Sequence, residues 1–193
     1  MMFTFREFLA DAAKKGEVVN TLFEERLFDL VGVLHRITDT LSSEHIPHAL
    51  IGGLAVLIHV EEANPEHSTL TRDVDLMVRR SDLDRINKAA ARNGFRFRSA
   101  DTLLYGYTES SKNAVRLIFG GEKSIEPEEK HIHGKPVMVI PVADLVRMKL
   151  TSFRDKDRVH VRSMDVAGLI TQDVEKALPP ELAERLKHVR ETE

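Results

Sequence analysis

The chain has 193 residues, of which 42% are apolar and 31% charged, and a formal net charge of −3. That length suits one domain or a compact core with helical additions, the apolar share excludes a disordered chain, and the charge gives no general pull toward nucleic acid. There is no cysteine, which excludes disulfides, thiolate metal sites and a cysteine nucleophile, and fits a reducing compartment.

The opening residues, MMFTFREFLADAAKKG, do not read as a signal peptide, because Arg6, Glu7 and Asp11 interrupt the apolar core such a peptide needs. No stretch approaches the roughly 20 apolar residues that cross a bilayer, so a soluble, cytoplasmic protein is expected. Residues 3–14 carry a short helical pattern. A longer one runs over 20–43, where Leu22, Phe23, Leu27, Leu30, Val31, Leu34, Ile37 and Leu41 recur at helical spacing. This stripe can form a dimer seam or pack on its own core. His48–Ile51 predicts a strand, Gly52-Gly53 a turn, and Leu54–Val60 a helix. Residues 61–72 are polar and contain a proline, and read as a loop. Asp73–Val78 alternates charged and apolar residues as a strand does. Ser81 is expected to cap a helix through Asn93, with Asp84 at the capping-box position and Gly94 as the stop. Phe95–Arg98, Leu103–Thr108, Ala114–Phe119 and Pro136–Val139 are further strand candidates. From Pro141 on, helices are expected over 141–153, 156–170 and 179–190, with a break at Thr171 and Pro179-Pro180 opening the last. Helices, a mixed middle, then helices predict an α+β fold with a central sheet flanked by helical ends. The expected division is an N-terminal helical extension over 1–45, an α/β core over 46–140 and a C-terminal helical segment over 141–193 packed on that core.

The chemistry concentrates in I-G-G-L-A at 51–55 and T-R-D-V-D-L at 71–76. Alternation along a strand puts Asp73 and Asp75 on one face, about 7 Å apart, with Val74 and Leu76 turned into the core. Two such carboxylates can converge on a divalent ion or on a cation of the protein, and their hard oxygens suit Mg2+ or Mn2+. Gly52 and Gly53 have no Cβ to hold off a phosphate, and the helix that follows aims free backbone N–H groups at it. Taken alone, an Asp-x-Asp is more often a solvated face and a Gly-Gly an ordinary turn. Their combination in this order is more specific.

These residues, IGGLAVLIH followed by TRDVDLMV, resemble the nucleotidyltransferase superfamily of the DNA polymerase beta type, and in particular its small bacterial AbiEii-like and minimal members. The segment PVADLVRMKLTSFRDKDRVHVRSMD at 141–165 is similar to the helical part that follows the sheet in that group. The resemblance covers roughly residues 46–170. It implies a mixed central sheet flanked by helices, and metal-dependent transfer of a nucleoside monophosphate from a nucleoside triphosphate to an acceptor hydroxyl. In such chemistry positioning and charge neutralisation dominate. It further implies that Asp73 and Asp75 are catalytic and hold Mg2+ or Mn2+. Gly52, Gly53, Thr71, Arg72, Lys149 and Arg154 would contact the nucleotide, ATP or another triphosphate. For Lys149 and Arg154 a plain charged helix face is an equal reading. The acceptor would be a protein, an RNA or a small molecule. A cognate antitoxin or a second copy of the chain is the expected protein partner, in a toxin–antitoxin or defence setting.

The sequence departs from that pattern in two places. Leu54 stands where a serine often follows the glycines. More seriously, the strand expected to carry a third acid reads Val115-Arg116-Leu117-Ile118-Phe119. An arginine beside two aspartates would pair with them and supply the charge an ion would have given. Three readings stay open: a shifted alignment, another acid such as Asp101 or Glu109, or a weakened site. A catalytically weakened protein that keeps the fold and binds nucleotide or a partner is therefore the alternative function. Asp157 is expected as a helix N-cap and Asp165 as structural. His131-x-His133 reads as a polar loop rather than a metal site, and His59 and His160 as packing or surface residues. Arg72, Arg79, Arg80, Arg92, Arg96 and Arg98 would form a basic rim or be scattered and solvated.

Overall fold

Leu30, Leu34, Ile37 and Leu41 lie along one face of a helix over residues 25–43, α1, and all four are buried. The structure is a computed structural model that describes residues 25–69, 71, 73–99, 101–106, 114–120 and 126–192. Leu22, Phe23 and the helical pattern expected at 3–14 lie outside these. The described part of the stripe packs on the protein's own core, while Phe28 on the opposite face is exposed.

The chain then enters β1 (His48–Ile51), turns at Gly52 and runs directly into α2 (Gly52–Ala63). A single turn of 3-10 helix at Pro65–His67 leads toward β2 (Val74–Val78). In β2 the alternation works as expected: Val74, Leu76 and Val78 are buried, while Asp75 and Met77 sit half-buried on the other face. A second 3-10 turn at Arg80–Asp82 precedes α3 (Leu83–Arg92). Here the expectation is corrected. Ser81 lies inside that turn, and the N-cap is Asp82, whose carboxylate binds Arg85 instead of the helix backbone. Gly94, at φ +82°, ends the segment.

The strands β3 (Phe95–Ser99), β4 (Thr102–Tyr105) and β5 (Ala114–Phe119) follow, then the hairpin of β6 (Glu128–Ile132) and β7 (Lys135–Val139). β6 was not expected. His131 belongs to this edge strand, and His133, at φ 48°, forms the hairpin turn with Gly134. Among the described residues the sheet has seven strands in the order β3-β4-β5-β2-β1-β7-β6. β2 runs parallel to β5 and β1 parallel to β7, and the other pairings are antiparallel.

The tail forms α4 (Val142–Ser152), α5 (Asp155–Val166), the short α6 (Gln172–Lys176) and α7 (Pro180–Glu191). The helix expected to 170 stops at Val166, because Gly168 takes φ +76° and closes it. Thr171 is the break and also the cap of α6, accepting from the Val174 N–H. α4 and α5 pack on α2, and α7 packs on both. One apolar cluster runs from Leu30 through the sheet to Val189, so α1, the sheet and the tail share a core. Truncating one of its fully buried leucines to alanine costs roughly 2–5 kcal/mol. Among the described residues no helix is long and apolar enough to cross a membrane.

Candidate functional site

A cleft of about 490 Å3 opens between the start of α2, the face of β2 and β5, and the facing sides of α4 and α5. Gly52, Gly53, Thr71, Asp73, Asp75, Lys149 and Arg154 all line it. Of the residues expected there, Arg72 alone lies outside the described residues.

Each wall follows from local structure. Gly52 adopts φ +76°, and a Cβ there would meet Asp75 Oδ2 at 2.2 Å. The chain therefore passes directly over the Asp75 carboxylate, in a conformation and a space that only glycine accepts. Gly53 is hemmed in from the other side: a Cβ would meet Thr71 Oγ1 at 2.6 Å and the His160 ring at 3.3 Å. α2 begins without a side-chain cap and without an acid in its first turn, so its leading N–H groups remain open to an anion.

On the sheet, Asp75 is directly opposite Arg116 in the parallel β2–β5 ladder. Arg116 therefore occupies the position on β5 that faces the acid pair. Its Nε donates to Asp75 Oδ1 at 2.9 Å and its Nη2 to Asp73 Oδ2 at 2.7 Å. One planar guanidinium thus binds both carboxylates. Burial raises the pKa of Asp75 and the Asp73 charge adds to this, while Arg116 opposes both. Asp101, weighed as a substitute acid, sits in the β3–β4 turn, accepts from Ser99 and Thr102, and is not on the cleft wall. Glu109 lies outside the described residues.

The opposite wall holds a second charged group. Lys149 of α4 is 7% exposed and donates to Asp157 Oδ1 at 3.1 Å, and Asp157 is fully buried. Asp157 also accepts from Ser152 and from Arg154 Nε at 2.7 Å. Burial works against its charge, but the bonds from Arg154 and Ser152 and the Lys149 ammonium hold its pKa well below the usual carboxylate range. Its expected capping role is corrected in position: Asp157 is at N3 of α5 and accepts the Arg154 backbone N–H from there. Burial lowers the Lys149 pKa, with Asp157 opposing. Phe153, at φ 48°, turns the chain between the two helices so that both face the cleft.

His160, expected as a packing or surface residue, is packed in and also reaches the cleft. It is 8% exposed, lies one turn beyond Asp157 on α5, and lines the cleft with no hydrogen-bond partner on Nδ1. Burial, followed by the Lys149 charge, lowers its pKa to about 4, so the ring is neutral at pH 7. The usable signal was the Asp157-x-x-His160 spacing, which puts both on one helical face. His59 is structural, its Nε2 bonded to the Ile140 carbonyl. Asp165 is structural too, held by Arg190 Nε and Nη2, each at 2.8 Å. The described arginines of the expected rim do not line the cleft. Arg92 pairs with Glu44, Arg96 binds the Gly106 carbonyl and Arg80 stacks over Phe119.

The divalent ion implied by the sequence resemblance can be tested against these donors, and they do not fit it. The third position is a cation whose nitrogens already take one oxygen from each aspartate. Among the described residues no group of three or more His, Asp or Glu side chains is placed to hold a metal. A divalent ion would have to expel the guanidinium and sit beside it against like-charge repulsion.

No family model matches this chain, and no curated protein matches it. Solved structures do. ANT(2'')-Ia in complex with adenylyl-2''-tobramycin is similar at 12% identity and a TM-score of 0.51, covering 83% of this chain and 96% of that one. An antigenic nucleotidyltransferase-like protein from Paracoccidioides brasiliensis is similar at 18% identity and a TM-score of 0.53, covering 84% and 85%. The Megavirus polyadenylate synthase is similar at 11% identity and a TM-score of 0.54, covering 89% of this chain and 39% of that one. The chain therefore has the nucleotidyltransferase-type fold, an α+β architecture with a mixed central sheet flanked by helices.

Proposed function

We propose that the cleft beside Gly52-Gly53 binds the phosphate chain of a nucleoside triphosphate, and that metal-dependent transfer of the nucleotide has been lost. The observation that carries this reading is the Arg116 fork, which bonds Asp73 and Asp75 at 2.7 and 2.9 Å. Phosphoryl-type transfer relies on cations placed against the developing charge, and the pair that would hold such an ion is already bridged by the Arg116 guanidinium. Binding is supported separately. The uncapped start of α2 offers backbone donors, Lys149, Arg154 and Lys156 line the facing wall, and Ile118 and Met148 give the cleft an apolar side on which a base can rest. The likeness in fold to a protein solved with an adenylylated product points to the same ligand class.

The test uses α-labelled nucleoside triphosphates with Mg2+ or Mn2+ and cell extract. The protein is expected to retain nucleotide and to pass no label to any acceptor. Label transfer by the native protein that disappears in Asp73→Ala/Asp75→Ala would overturn this reading in favour of an active metal-dependent enzyme.

A further inference from the structure

The described lining of the cleft holds four cations, Arg116, Lys149, Arg154 and Lys156, against three carboxylates, Asp73, Asp75 and Asp157. The balance is one positive charge before any ion is added, and His160 contributes none while its ring is neutral. The Arg116–Asp73 pair is about one third exposed on each side, so the guanidinium faces the cleft opening. Its two bonds to the aspartates use two of a guanidinium's five N–H donors, and the rest can meet a ligand. Asp157 is sequestered by Lys149, Ser152 and Arg154, so it presents no free oxygen to repel an anion. On the same wall, the nine-tenths buried His160 has an Nδ1 with no partner. Such a group costs free energy until something satisfies it.

We infer that this cleft takes its phosphorylated ligand as the metal-free polyanion, with the Arg116 guanidinium standing in the place of the ion and Lys149, Arg154 and Lys156 giving the cleft its surplus positive charge. The inference rests on the proposed nucleotide binding and adds the form in which the ligand enters. A ligand chelated to Mg2+ brings two further positive charges into a cleft that is already net positive. It also needs coordinating oxygens that Arg116 holds. The chelate is therefore the weaker ligand, by roughly tenfold for charges about 6 Å apart in a solvent-filled cleft.

The experiment is calorimetric titration of the full chain with ATP and with inorganic triphosphate, in EDTA and in excess Mg2+. Triphosphate serves as a probe that does not depend on the base. Native protein is expected to bind both in EDTA, and about tenfold more weakly with Mg2+. Arg116→Gln is expected to lose at least about tenfold in EDTA, since its charge acts on several phosphate charges at once. Arg116→Asp is expected to reverse the preference and to bind Mn2+ alone, read by the paramagnetic resonance of the free ion. Tighter binding by native protein in Mg2+ than in EDTA overturns the inference and leaves the proposed function standing. EDTA affinity unchanged in Arg116→Gln overturns it as well, and does not depend on whether Arg116→Asp folds. No binding of either probe in either buffer overturns both the inference and the reading beneath it.

Discussion

Replacing Gly52 by alanine tests how tightly the turn is fitted over Asp75. Two costs follow from the structure. Gly52 adopts φ +76°, and an L-residue in that region costs about 1–2 kcal/mol. The new methyl would also lie 2.2 Å from Asp75 Oδ2 and 2.9 Å from Asp75 Cβ and Cγ. The strand cannot retreat, because Asp75 is paired with Ile51 in β1 and with Arg116 in β5. The carboxylate must therefore leave, breaking its 2.9 Å bond to Arg116. Overpacking of this kind costs about 1–3 kcal/mol, so the total expected loss is about 2–5 kcal/mol. Gly168 provides the internal control: its φ is also +76°, and a methyl group added there would have nothing within 4 Å, so Gly168→Ala should show the backbone cost alone. Urea denaturation followed by circular dichroism, with m unchanged, reads both variants. Equal destabilisation of the two would refute the close approach of Gly52 to Asp75.

Three other outcomes are expected. Lys149→Met removes one partner of a fully buried carboxylate and should cost about 3 kcal/mol, the low end for breaking a buried pair because Ser152 and Arg154 remain; thermal melting checks it. His160 titrates near 4 in the fold against 6.5 in the open chain, so the unfolded state binds the extra proton between those values. Stability should be full above about pH 6.5 and fall by roughly 3 kcal/mol on the way to pH 4. His160→Gln should flatten that limb in denaturation series across pH, and an unchanged slope would remove His160 as its cause. Arg190→Ala breaks a network joining α7 to Asp165 and Glu175; it should cost about 1 kcal/mol at low salt and less at high salt.

The strand, glycine turn, helix and second strand were legible because short-range rules govern them: apolar runs, a break, then alternation at Val74, Asp75 and Leu76. Arg116 was reached through the resemblance instead, as the residue standing where that pattern carries a third acid, and the parallel β2–β5 register places it opposite Asp75. β6 was hidden because Glu128, Glu129, Lys130 and His131 give an edge strand little apolar alternation. The start of α3 was displaced because Ser81 and Asp82 are both good cap residues, and the 3-10 turn that chooses between them depends on Asp82 pairing with Arg85. His160 and the burial of Lys149 could not be read locally. The Asp157-x-x-His160 spacing gives their shared helical face, but which distant glycine that face meets depends on α5 folding back onto Gly53.

The cleft is made from stretches that leave the ribosome at different times. Asp75 and Arg116 belong to the sheet, whereas Lys149, Asp157 and His160 follow in the tail. A nascent chain can thus complete the β2–β5 ladder while the opposite wall is still unsynthesised. Before that ladder forms, Asp73 and Asp75 are bare, and their hard oxygens would suit any hard cation the surroundings offered. Arg116, delivered on the neighbouring strand, pairs with both as soon as the ladder forms.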